Sequence, residues 1–89
     1  NLTIIDKKEI LIERFEVKGM DIKDALGLLS LKSGLEIVFD MNVNRDITLY
    51  LDNIKAIDAL RIILDLANLA YNEEGNKIHV MNLIDSTRV

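Results

Sequence analysis

Cysteine is absent from the 89-residue chain, which removes disulfides, thiol catalysis and thiolate metal sites from consideration. It leaves the compartment open, because an extracytoplasmic domain can also do without cysteine. Basic residues are outnumbered, with 11 Lys and Arg against 15 Asp and Glu and a formal net charge of −4. That balance argues against phosphate backbones, which need clustered cations. Two Tyr and two Phe, well separated, are too few for a base-stacking platform, so nucleic-acid binding is not expected. The four glycines are isolated, with no phosphate-cradling loop and no Gly-x-x-Gly clamp. No apolar run approaches the roughly 20 residues of a membrane span, so direct membrane insertion by this fragment is not expected. No charged segment followed by an apolar one opens the chain either, as a secretory signal would. It begins at Asn1, and we read it as a piece of a longer protein.

What the chain does have is aliphatic bulk. Hydrophobic residues make up 49%, enough for one domain with a core that needs no covalent staples. Its organising stretch is Asp21 to Asp40. Asp21 can cap a helix, and Asp24 follows three residues later in a weaker acidic version of the capping box. Ile22, Ala25, Leu26, Leu28 and Leu29 recur at helical spacing. Gly34 offers the left-handed residue that ends a helix, and a short strand follows. The pattern returns 34 positions on (58 − 24): Asp24-Ala25-Leu26 matches Asp58-Ala59-Leu60, Leu28-Leu29 matches Ile62-Ile63, Gly34 matches Asn68 and Leu35 matches Leu69. Gly and Asn are the residues most at ease in the left-handed conformation, so the exchange keeps the turn chemistry.

Taken in order, Leu2 to Ile5 is a short apolar run, followed by the charged turn Asp6 to Glu9. Ile10 to Val17 is expected as a strand, with Leu11, Phe15 and Val17 on one face and Ile12, Arg14 and Glu16 on the other. A helix is expected at Ile22 to Ser33 and a strand at Leu35 to Phe39. Ile47 to Leu51 alternates, with Thr48 and Tyr50 opposite Ile47, Leu49 and Leu51, and Asp52-Asn53 is expected to break that strand. The second helix spans Ala56 to Ala67, with Ala59, Leu60, Ile62, Ile63, Leu66 and Ala67 on its apolar face. Lys55 stands where the first unit has Asp21, which leaves Asn53 as the candidate cap. Leu69 to Glu73 and Lys77 to Asn82 form a hairpin across Gly75-Asn76. The fold class is therefore α+β, in the order β-α-β-β-α-β-β.

No arrangement in this sequence points to catalysis. Ser30, Ser33 and Ser86 lack a nucleophile elbow, and Glu73-Glu74 are strand neighbours on opposite faces, unable to act as an acid–base pair. His79, the single histidine, lies between Ile78 and Val80 and is expected to point outward. Asp40-x-Asn42-x-Asn44-x-Asp46 resembles the start of an EF-hand loop, but Arg45 and Leu51 occupy the places of its Gly and closing Glu. A small calcium-binding domain is the weaker alternative. No catalytic, cofactor or metal residue is therefore assigned. The outward strand faces remain: Ile12, Arg14, Val38, Thr48 and Tyr50 are the candidate protein-interface residues, through side chains or by strand addition at an edge.

Residues 15–82 resemble the short N-terminal domain shared by bacterial secretins and TonB-dependent signalling receptors. The cues are Asp21-Ile22-x-Asp24-Ala25-Leu26, Ser33-Gly34-Leu35 entering a strand, Ile47-Thr48-Leu49-x-Leu51, Ala59-Leu60-x-x-Ile63-Leu64, and Gly75-Asn76-x-Ile78-x-Val80. The resemblance implies two helices between a two-stranded and a three-stranded sheet, in a periplasmic domain of an outer-membrane protein that binds other proteins without catalysis. In secretins, such a domain stands at the periplasmic entrance of a ring of like subunits. There it meets inner-membrane components of type II or III secretion or type IV pilus machines. In the receptors it contacts an anti-sigma regulator. Ile47-Thr48-Leu49-Tyr50-Leu51-Asp52-Asn53-Ile54 is closer to the secretin pattern, and Leu66-Ala67-Asn68-Leu69 departs from the receptors' Gly-Thr-Gly-Leu. Lys55 departs from the Pro or Ser usual in secretins. Residues 1–14 lie outside the resemblance and are expected as a leader or extra strand, and residues 83–89 as a linker to a following domain.

Overall fold

Both helices of the computed structural model, which describes residues 6–83, start and stop where the local signals place them. Strand β1 (Leu11–Asp21) runs directly into α1 (Ile22–Ser33), and β2 (Glu36–Asp40) follows. Strand β3 (Asp46–Lys55) runs into α2 (Ala56–Ala67), followed by β4 (Leu69–Glu74) and β5 (Lys77–Asn82). The Asp21 carboxylate accepts the Lys23 N–H at 3.0 Å. At the other end Gly34 takes φ 82°, and its N–H reaches the Ser30 carbonyl at 2.8 Å. Asn68 plays the same part for α2 at φ 56° and ψ 49°. The repeated Gly/Asn position is thus a left-handed helix stop in both units.

The sheets are β1-β3, antiparallel, and β2-β5-β4, in which β5 is parallel to β2 and antiparallel to β4. Each helix touches both sheets and lies between them. The core is formed by Phe15 from β1, Ile22, Leu26 and Leu29 from α1, Leu35 just before β2, Leu60, Ile63 and Leu64 from α2, and Ile78 and Val80 from β5. Fully burying one such side chain stabilises by about 1.5–3 kcal/mol before entropy is counted. Ser33 is the one buried polar residue among those described; its hydroxyl donates to the Leu29 carbonyl at 2.7 Å and accepts the Leu35 N–H at 3.1 Å.

Several boundaries differ from the sequence expectation. Strand β1 continues past Val17 to Asp21 through a register shift between Val17 and Met20. Gly19, at φ 56°, absorbs it and donates its N–H to Thr48 Oγ1 at 2.9 Å. Strand β3 is not broken by Asp52-Asn53. Asn53 adopts φ 49° within the strand, and pairing resumes at Ile54 with Ile12 and at Lys55 with Leu11. That residue changes which face is inward. Leu51 and Ile54 both turn towards the core three positions apart, and so do their partners Phe15 and Ile12. Simple alternation puts Ile12 outside with Arg14, whereas it is 5% exposed and Leu11 is the exposed one.

Helix α2 makes no side-chain cap bond, and Asn53 does not cap it. The first N–H of α2, at Ala56, is instead taken by the Ile10 carbonyl at 2.8 Å. The first N–H of α1, at Ile22, is taken by the Arg45 carbonyl at the same distance. The buried face of α2 is also rotated from expectation, with Ile57 and Leu64 inside and Leu66 exposed. Of the segment before residue 15, expected as a leader or extra strand, the described part packs with the domain. Residues 11–14 pair with β3, and the 3-10 turn Lys7–Glu9 is pinned to the hairpin, Lys7 N–H to Asn76 Oδ1 at 3.0 Å and Lys8 Nζ to the Gly75 carbonyl at 2.8 Å. The expected run Leu2 to Ile5, Ser86 and the linker beyond Leu83 lie outside the described residues.

Truncating Leu60 to Ala removes a fully buried side chain between the sheets, and the expected loss is about 2–5 kcal/mol in denaturant unfolding. The left-handed stops predict opposite signs for two further substitutions. Gly34→Ala should cost about 1–2 kcal/mol, since its Cβ is disfavoured at φ 82° and also meets the Lys7 side chain at 3.2 Å. Asn68→Gly should be neutral or mildly stabilising. Equal losses at the two positions would refute the shared conformational role.

Candidate protein-interaction surface

The outer face of β1-β3 is built by cross-strand register. Arg14 stands opposite Asp52, and Glu16 opposite Tyr50. The Arg14 guanidinium lies 3.5 Å from the Glu16 carboxylate and 3.9 Å from that of Asp52, with all three side chains more than half exposed. Exposed pairs of this kind contribute about 0–1 kcal/mol to stability, so their geometry matters more for what the face presents than for holding it together. Tyr50 is 60% exposed beside them. Glu13, Arg14, Asp52 and Asn53 line an open depression of about 510 Å³ next to this face.

Of the five residues selected from the sequence, Arg14, Thr48 and Tyr50 share this face. Thr48 has a second duty, since its hydroxyl accepts the Gly19 N–H and steadies the β1 irregularity. Val38 belongs to the other sheet, paired with His79 across β2-β5. Ile12 is in the core and is withdrawn as a contact residue, for the face change at Asn53 described above. Asp52 was missed. Read as a strand breaker, it gave no sign of standing opposite Arg14; only the pairing register reveals it.

Several other polar groups are engaged locally. His79 points away from Ile78 and Val80 as expected, with Nε2 3.5 Å from Asp40 Oδ2. Residues 41–45 run between the strands without a turn, Met41 and Val43 pack against the core, and the Arg45 carbonyl is held by α1. The loop is therefore stretched across the core rather than coiled as an EF-hand is. Among the described residues no group of three or more His, Cys, Asp or Glu is placed to hold a metal ion. Ser30 donates its hydroxyl to the Leu35 carbonyl at 2.6 Å, and Ser33 is likewise spent on the end of α1.

Around the start of α2 the charges pair among themselves. Lys55 Nζ lies 3.0 Å from Glu9, whose hydrogen bond and charge hold the ammonium above its usual pKa. Asp6 is held below its usual value by its hydrogen bonds to the Lys8 side chain and backbone. The Arg61 guanidinium donates to the Tyr71 hydroxyl at 3.2 Å and approaches Asp58 at 3.5 Å. No protein-family model matches the chain, and no curated protein sequence matches it.

The two assignments on β1 and β3 separate cleanly by experiment. Ile12→Asp should destabilise on the order of 3 kcal/mol or more, because it buries an unpaired carboxylate. Tyr50→Ala should leave the thermal midpoint within about 4 °C of the parent. For the loop, calcium at millimolar concentration should leave the midpoint unchanged; a rise would mean that the native state binds the ion.

Proposed function

We propose that the chain is a non-catalytic protein-interaction domain, the periplasmic N-terminal domain of an outer-membrane secretin channel, which docks onto inner-membrane components of a secretion or pilus machine. Neighbouring subunits of the same ring are its other partners. The reading rests on the ordered motif resemblance across residues 15–82. The two-sheet, two-helix architecture agrees with the fold that the resemblance implies. The observation that carries the interaction role is the outer face of β1-β3, where a mostly exposed Tyr50 stands among Arg14, Glu16 and Asp52. Tyr and Arg are the residue types that most often dominate binding energy at protein interfaces, the first by area and the second by its forked donors.

Two tests bear on this. The gene that encodes the chain should continue into further small α/β domains and a β-rich pore region; a plug and a large β-barrel would move the chain to the receptor branch. With the inner-membrane components of that system in hand, Tyr50→Ala and Arg14→Ala should each weaken binding by about tenfold without lowering the thermal midpoint. Undiminished binding by both variants would remove this face as the docking surface.

A further inference from the structure

The free edge of β2 lies on the other sheet and makes no use of the Tyr50 face. Among the described residues, strand order β2-β5-β4 leaves β2 with a strand neighbour on one side only. Its three central residues, Ile37, Val38 and Phe39, are all apolar. Ile37 and Phe39 are opposite the buried Ile78 and Val80 and so lie on the helix side, yet Phe39 remains 39% exposed. Val38, on the outer side opposite His79, is 36% exposed. Apolar side chains are thus accessible on both faces of one edge. Natural sheets usually protect such edges with charge, proline or a bulge. The β4 edge is protected in this way, with the exposed Glu73 and Glu74 and with Tyr71 tied to Arg61. On β2 the charges stand only at the two ends, Glu36 and Asp40, flanking Val38 on the outer face.

The order acid, apolar, acid on the outer face selects the occupant. A second copy pairing antiparallel about Val38 would set Glu36 against Asp40 twice, and like charges directly opposite oppose pairing. Lys77 is in register with Glu36, His79 Nε2 lies 3.5 Å from Asp40, and both acidic residues remain exposed. We propose that the β2 edge accepts, as a fourth strand, an extended segment of another protein whose outer face reads basic, apolar, basic. The pattern is symmetric about Val38, so the segment can run in either direction. Backbone hydrogen bonds supply affinity, and the two carboxylates supply selectivity.

The probe is a capped heptapeptide, TKVVVKT, compared with TEVVVET, each titrated into the isotopically labelled 89-residue chain and followed by amide NMR. The lysine peptide should shift the β2 amides and slow their exchange, binding about tenfold tighter than the glutamate peptide. Glu36→Gln with Asp40→Asn should abolish the preference. Should that variant unfold, the double variant Glu36→Lys with Asp40→Lys, at exposed positions, should instead prefer the glutamate peptide. Equal affinity for both peptides, shifts confined to β1-β3 or β4, or dimerisation of the free chain through β2 would each overturn the proposal. None of these outcomes measures what Tyr50→Ala or Arg14→Ala does to binding of an inner-membrane component, so the two readings fail separately.

Discussion

Each helix takes its first backbone hydrogen bond from the strand of the other repeat. Ile22 donates to Arg45 at the mouth of β3, and Ala56 donates to Ile10 at the mouth of β1. Because β1 and β3 are antiparallel, each strand leads into a helix at the end where its partner begins. One pairing register therefore fixes the origin of both helices. It also satisfies a helix N-terminal donor in each unit that would otherwise need a side chain or water. This explains how Lys55 can stand in a capping position without a capping side chain. A two-stranded sheet is marginal alone; here the helix pair covers one of its faces along its length.

The second sheet closes the molecule by a different rule. β2 and β4 are the two strands that follow the helices, and β5 enters between them. The parallel β2-β5 pairing requires a long crossover, which β3, α2 and β4 provide. Ile78 and Val80 of this inserted strand are fully buried, so the last element of the described chain completes the core. The clamp from Lys7 and Lys8 to the Gly75-Asn76 turn then ties the first described residues to the last hairpin.

The helices were legible because their signals are local. A cap at Asp21, apolar spacing, and Gly34 or Asn68 as a left-handed stop act within a few residues of one another. The strand faces were less legible because alternation presumes a regular backbone. One residue, Asn53, breaks that regularity on β3, and its effect reaches β1 only through pairing between positions about forty apart. Ile12 was misassigned for that reason, and Asp52 was overlooked for the same one. Leu66 misled differently: in a helix as apolar as α2, periodicity alone does not decide between the Leu64 and Leu66 sides, and the packing of β4 and α1 does. His79 was read correctly since its flanking residues alternate without interruption.

Among the described residues, several polar groups hold the fold together. Ser30 and Ser33 complete the end of α1, Met41 and Val43 of the Asp40 loop pack on the core, and Lys55–Glu9 and Arg61–Asp58 pair near α2. Arg14, Glu16, Tyr50 and Asp52, by contrast, spread over the exposed face of β1-β3. Sandwiching the helices turns one face of each sheet inward and leaves the other outward, so the two outer surfaces are separated by the core. The proposed Tyr50 face and the proposed β2 edge belong to different sheets, so occupants of the two would not compete for one surface. That separation is what the proposed place between a ring and the components that approach it would require.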